Sequence, residues 1–170
     1  TDLDDTLFQS IGKMSKTPCE RQRATTATNG RHSYMTPTQE KMVAWLLETA
    51  RMIPVTARST DSLSRCHLSF KSWRIAANGA VILRPDGVPD PAWAAYIAEI
   101  SRKYACTLNA LSTALSVWND GQDAIRYWLV YESGHPIYLC VKSNGSSSWL
   151  DDPLPCLRGL AKGNFVEHRN

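Results

Sequence analysis

The chain begins with TDLDDTL, residues 1–7, in which Asp2 and Asp4 flank a single apolar residue. On an extended segment, side chains two positions apart point to the same face. Two carboxylates on one face repel each other, which favours a shared proton or a bound cation. Mg²⁺ prefers such oxygen ligands, and an ionised Asp can also attack phosphorus to give an aspartyl-phosphate. The segment predicts a strand end carrying an acidic site, although a solvated acidic turn has the same spacing.

The next segments predict alternating strands and helices. Residues 9–35 are rich in Ser, Thr, Lys and Arg and predict a long loop. Thr36, Pro37 and Gln39 form the capping signature of a helix that ends near residue 51. The apolar run at 52–55 predicts a strand that brings Thr56 to its C-terminal end.

A short helix near 60–67 is followed by strands at 74–77 and 80–83, joined by the turn signal Asn78-Gly79. The order strand, helix, strand, helix, strand predicts an α/β fold with a parallel sheet.

The pattern changes after about residue 88 and predicts an α+β module. A short Gly-containing loop at 133–135 separates two β-rich runs and indicates a hairpin. The predicted elements are helices at 91–104, 108–115 and 154–162, hairpin strands at 124–132 and 136–142, and a last strand at 164–168.

Three motifs occur in a fixed order along the first half. The pattern D-x-D-x-T-L at residues 2–7 is followed by Thr56-Ala57-Arg58 at the end of an apolar run, and then by Asn78-Gly79-Ala80. In this order the motifs resemble those of the haloacid dehalogenase superfamily of phosphatases. The Asn-Gly-Ala hairpin resembles the subgroup whose α+β cap is inserted after the second motif, which includes sucrose-phosphate and mannosyl-phosphoglycerate phosphatases.

The resemblance implies a partial Rossmann-like, parallel-sheet core over residues 1–85 and an inserted α+β cap domain over 86–170. It implies that Asp2 is the nucleophile, Asp4 the general acid and base, Thr56 a phosphate ligand, and Arg58 a contact for substrate or phosphate. The Asp2 carboxylate and the Asp4 backbone carbonyl would bind Mg²⁺. The implied activity is hydrolysis of a sugar phosphate or another small phosphorylated metabolite.

The family pattern also includes a lysine and a distal acidic pair after the cap. Lys162 does not fit because it lies at the end of a predicted cap helix, and Asp151-Asp152 does not fit because no apolar strand precedes it and Pro153 follows. We therefore expect a chain that lacks residues at both ends. The alternatives are a phosphomutase of the same family, a non-catalytic binding or regulatory protein that keeps the fold, and a glycosyltransferase with a DxD motif.

Composition and charge indicate which partners and which cellular compartment to expect. The formal net charge of +3 is too weak to suggest a nucleic-acid binder. The five cysteines form no C-x-x-C pair, so reduced thiols in a cytoplasmic protein are expected. No apolar run approaches the roughly 20 residues needed to span a bilayer, so no membrane partner is expected. The sequence does not specify the oligomeric state.

Overall fold

The computed structural model describes residues 1–120, 124–144 and 154–162. The chain divides into two compact units, Thr1–Ile97 and Ala98–Asn170. This division falls within the longest helix, Pro91–Asn119. The domain boundary predicted from the sequence lies earlier, between residues 85 and 86. The predicted strand at 164–168 and the pair Asp151-Asp152 lie outside the described residues.

The first unit combines short antiparallel strands with two helices. Strands β1, β3 and β2 form one sheet in that order, and β4 pairs with β5. The first sheet lies in the region that was predicted to be a long loop. The elements are β1 (Gln9–Ser10), β2 (Arg23–Thr25), β3 (Ser33–Tyr34), α1 (Pro37–Thr49), α2 (Thr60–Ser64), β4 (Arg74–Ala76) and β5 (Val81–Leu83).

The predicted start of α1 is confirmed. The Thr36 hydroxyl accepts a hydrogen bond from the Gln39 backbone N–H at 3.2 Å. The Gln39 side chain in turn accepts from the Thr36 backbone N–H at 2.9 Å. This reciprocal box satisfies two donors that a helix N-terminus otherwise leaves unpaired.

The predicted hairpin around Asn78-Gly79 is also confirmed. Strands β4 and β5 pair antiparallel, with Ala76 opposite Val81. Ala77, Asn78 and Gly79 have φ angles of +50°, +55° and +92°. Glycine adopts such angles without a steric penalty, and Asn tolerates the left-handed region better than most residues.

The predicted Rossmann-like parallel-sheet core is wrong. In the described residues the sheets have two or three strands and are antiparallel. In the described residues, parallel pairing is limited to two isolated bridges, between Asp4 and Phe8 and between Val55 and Ile75. The segment before Thr56 contains Pro54, which has no N–H to donate to a ladder. The acidic segment forms a turn before β1, so it supplies no strand that could continue either bridge into a sheet.

Apolar side chains of the acidic segment and of the residue after it are buried in the core of the first unit. Leu3, Leu7 and Phe8 are buried, whereas Asp2 and Asp4 are exposed on either side of Leu3. This alternation is the one predicted for an extended segment. The same cluster includes buried side chains from α1, β4 and β5, among them Val43, Ala76, Val81 and Leu83.

The second unit contains the C-terminal part of α3 (Pro91–Asn119), strands β6 (Ile125–Glu132) and β7 (His135–Ser143), and helix α4 (Leu154–Ala161). The predicted helices at 91–104 and 108–115 are thus one continuous helix. The predicted hairpin is confirmed, and its turn residues Ser133 and Gly134 both have positive φ. Leu111, Leu115, Ile125 and Leu157 form the core.

The helices in the described part of the chain are each too short or too polar to cross a membrane.

Candidate functional site

A tight backbone turn presents the acidic side chains. The Leu3 carbonyl accepts hydrogen bonds from the N–H groups of Leu7 at 2.9 Å and Thr6 at 3.3 Å. Asp5 has a φ of +60°, and its N–H donates to the Phe8 carbonyl at 2.8 Å. The segment is therefore a turn rather than the end of a regular strand. It still directs Asp2 and Asp4 to solvent, because Leu3 between them points into the core.

Thr56 is held beside this turn by backbone hydrogen bonds. The Val55 N–H donates to the Thr1 carbonyl at 2.8 Å, and the Thr56 N–H donates to the Ile75 carbonyl at 3.0 Å. The Thr56 carbonyl accepts from the Asn78 N–H at 3.1 Å. Three segments that carry sequence motifs therefore meet at Thr56, which is only 4% exposed.

Arg58 connects Thr56 with the acidic turn. Its guanidinium donates two parallel hydrogen bonds to Asp4, from Nε to Oδ2 at 2.8 Å and from Nη2 to Oδ1 at 2.7 Å. Its backbone N–H donates to the Thr56 Oγ1 at 3.1 Å. Bidentate pairs of this kind are among the stronger hydrogen bonds between side chains, because both partners are charged. Asp4, Thr56 and Arg58 are thus brought together.

Two further residues position the Arg58 guanidinium. Its Nη1 donates to the Ser62 Oγ at 3.3 Å, and its charged carbon lies 5.2 Å from the centre of the buried Phe8 ring. Sequence reasoning missed both contacts. Ser62 lies in α2, but Arg58 precedes that helix, so the i,i+4 spacing of a helix does not apply to the pair. Nothing in the sequence pattern indicated Phe8.

Arg58 and Asp4 differ in their exposure to water, and their pairing changes the pKa of Arg58. The hydrogen bonds that Arg58 donates to Asp4 raise the pKa of Arg58 above its usual value, against the opposing effect of burial. The Arg58 side chain is 18% exposed, but that of Asp4 is 50% exposed. Water screens the half-exposed carboxylate, so we assign the pair only about 1 kcal/mol of stability.

Asp2 occupies a different environment. The exposed Asp2 carboxylate accepts a long hydrogen bond from the Thr6 hydroxyl at 3.4 Å. Within the described residues, Asp2 has no cationic partner within ion-pair distance. Asp5 pairs instead with Lys13 at 2.5 Å. The Asp2 carboxylate is therefore the acidic group of the turn that is not held by a cation.

Two oxygens of this turn are of the kind that Mg²⁺ binds. Both carboxylate oxygens of Asp4 are used by Arg58, which leaves the Asp2 carboxylate and the Asp4 backbone carbonyl. Mg²⁺ usually keeps several waters and takes one or two carboxylates together with substrate phosphate oxygens, so this donor set suits it. In the part of the chain that the structure describes, no group of three or more His, Cys, Asp or Glu residues could enclose a metal ion.

The sequence matches no protein-family model. A comparison with curated proteins likewise gave no match. The resemblance to haloacid dehalogenase phosphatases therefore stays a prediction that the motif residues alone carry.

Proposed function

We propose that this protein hydrolyses phosphomonoesters in a magnesium-dependent reaction, with Asp2 as the nucleophile and a small phosphorylated metabolite, such as a sugar phosphate, as the substrate. The observation that supports this most is the meeting of Asp4, Thr56 and Arg58. Arg58 lies 54 positions from Asp4, yet it binds that carboxylate with two hydrogen bonds. The proposal depends on these side chains and not on a parallel sheet.

Asp2 suits the role of nucleophile because its carboxylate is exposed and, within the described residues, forms no ion pair. An Asp2 oxygen would form a bond to phosphorus while the bond from phosphorus to the ester oxygen breaks and the alcohol leaves. Water would then attack the same phosphorus atom, releasing phosphate and restoring the Asp2 carboxylate.

In this proposal Asp4 moves the protons of both steps. As an ionised carboxylate it can accept a proton from the attacking water. In its pair with Arg58 it accepts two hydrogen bonds and has no proton to give. Asp4 must therefore separate from Arg58 and become protonated before it can donate a proton to the leaving alcohol.

Thr56 and Arg58 are the proposed phosphate contacts. The Thr56 hydroxyl oxygen already accepts from the Arg58 backbone N–H. A hydroxyl has one proton to donate, and within the described residues the Thr56 proton has no acceptor, so it can bond a phosphate oxygen. The Arg58 guanidinium supplies positive charge opposite the transferred group.

The Asp2 carboxylate and the Asp4 carbonyl would hold Mg²⁺ together with water and substrate oxygens. When bound, the ion offsets negative charge on the phosphate and on Asp2.

The test is a screen of sugar phosphates and other small phosphomonoesters for phosphate release, with and without Mg²⁺. Asp2→Asn keeps the size of the side chain but removes the nucleophile, and we expect it to lower release at least about 100-fold. Asp5→Asn is the matched control, because it removes a neighbouring charge that pairs with Lys13. Equal release by wild type and Asp2→Asn would refute the mechanism.

Product analysis separates the alternatives. A hexose phosphate that is isomerised without phosphate release would indicate a phosphomutase. Phosphate binding without turnover in the screen would indicate a binding or regulatory protein.

A further inference from the structure

We propose that Asp4 occupies the phosphate-binding edge of Arg58 and that a dianionic phosphate group displaces it. The Arg58–Asp4 pair is then the ligand-free state of the site, and the incoming phosphate exchanges places with a carboxylate of the chain itself. This inference deepens the proposed function and rests on it for the identity of the ligand.

The Arg58–Asp4 pair uses an edge of the guanidinium that can also bind phosphate. The Nε and Nη2 atoms of Arg58 bind the two Asp4 oxygens at 2.8 and 2.7 Å. Arginine uses the same two-point edge to bind two oxygens of a phosphate group. A phosphate that takes this edge must therefore remove Asp4 from it.

Arg58 is held in place by more contacts than Asp4 is. The Arg58 guanidinium also bonds Ser62 and lies against the buried Phe8 ring. The Asp4 side chain is 50% exposed, and in the described residues its carboxylate is bonded by Arg58. Asp4 can therefore rotate into water while the guanidinium keeps its position.

The negative charge of the ligand decides whether it can displace the Asp4 carboxylate. A phosphomonoester dianion carries one more negative charge than the carboxylate that it replaces. A phosphodiester carries a single negative charge, so it gains little over Asp4 at the same edge. The exchange therefore selects monoesters over diesters. It also releases Asp4 for proton transfer only when a phosphate group is present.

The binding test uses inorganic phosphate at pH 8 with EDTA present, measured by isothermal titration calorimetry. Asp4→Asn weakens the internal competitor, so we expect it to tighten phosphate binding about tenfold. Asp5→Asn removes the same charge one position away without touching Arg58, and it should change the affinity less than about twofold.

A double variant separates competition from simple charge repulsion. In an Arg58→Gln background the exchange predicts that Asp4→Asn no longer tightens phosphate binding. Repulsion alone predicts the same tightening in both backgrounds, and that result would overturn the exchange. Failure of the wild type to bind phosphate at millimolar concentration would overturn it as well.

A second measurement uses only the wild-type protein, so it does not depend on whether a variant folds. In the NMR spectrum of the wild type, phosphate should move both the Arg58 Nε–H resonance and the Asp4 carboxyl resonance, whereas dimethyl phosphate should move neither at the same concentration. An Asp4 resonance that stays fixed while phosphate binds would contradict the exchange. Exchange without turnover would refute only the hydrolase, and turnover with no coupling between Asp4 and Arg58 would refute only the exchange.

Discussion

Replacing Thr56 by valine tests the hydrogen bond between Thr56 and Arg58 within the second sequence motif. The substitution keeps the shape of the side chain and removes the oxygen that accepts the Arg58 N–H at 3.1 Å. Leaving that N–H without an acceptor costs about 1–3 kcal/mol. The added methyl group returns about 0.8 kcal/mol, because the side chain is almost fully buried. The difference is about 0.2–2.2 kcal/mol, so we expect Thr56→Val to lower the free energy of unfolding by about 1 kcal/mol.

Urea unfolding at 25 °C, followed by tryptophan fluorescence, measures this change. Thr38→Val is the matched control, since Thr38 is exposed on α1 and should change stability by less than about 0.5 kcal/mol. If Thr56→Val is as stable as the wild type, the hydrogen bond to Arg58 contributes nothing and the local argument fails. The same variant should lower phosphate release about 10- to 100-fold, because one hydrogen bond to the phosphate is lost. Thr56→Ser keeps the hydroxyl and should retain most of that activity.

The other predictions concern the surrounding framework. Thr36→Ala removes the helix cap and should lower the free energy of unfolding by about 1 kcal/mol in the same urea experiment, and an unchanged value would contradict the capping role. Gly79→Ala should cost about 1–2 kcal/mol, because its φ is +92°, whereas Gly12→Ala, also in open space but without a positive φ, should be close to neutral. Burial raises the pKa of Cys66, so iodoacetamide at pH 8 should label Cys66 more slowly than the exposed Cys106, and equal rates would show that the thiol is not shielded.

The raised pKa of Cys66 also predicts how the stability of the fold depends on pH. A raised pKa means that the folded state holds the thiol proton more tightly than the unfolded chain does. Its contribution to stability is therefore fully present at neutral pH and is lost as the pH rises past the usual range of a thiol. Cys66→Ala should flatten the fall in stability on the alkaline side, and an identical pH profile would contradict this assignment.

The local elements of the fold could be predicted from the sequence because their signals lie within a few residues of each other. The capping box of α1 requires only Thr36 and Gln39. The hairpin between β4 and β5 follows from Asn78-Gly79, which tolerate positive φ. The prediction failed where pairing depended on distant segments, because periodicity does not say which strand lies beside which.

The same division applies to the candidate site. The sequence indicated Asp2, Asp4, Thr56 and Arg58 as chemically capable groups, but Arg58 was predicted only as a contact for substrate or phosphate. The structure gives Arg58 a partner within the chain, namely Asp4. An ion pair across 54 positions depends on where the backbone places both ends, and no local pattern encodes that.

The acidic segment at residues 1–7 shows what each level decides. Its alternation of apolar and acidic residues by itself determines that Leu3 is buried while Asp2 and Asp4 face water, since burying an apolar side chain is favourable and burying an unpaired charge is not. Only the tertiary structure decides that the segment forms a turn beside Thr56, that Asp4 is held by Arg58 and that Asp2 is left without a cation among the described residues. The reason is physical: the hydrophobic pattern fixes which way a side chain points, but a partner far along the chain can be fixed only by the packing that brings both together.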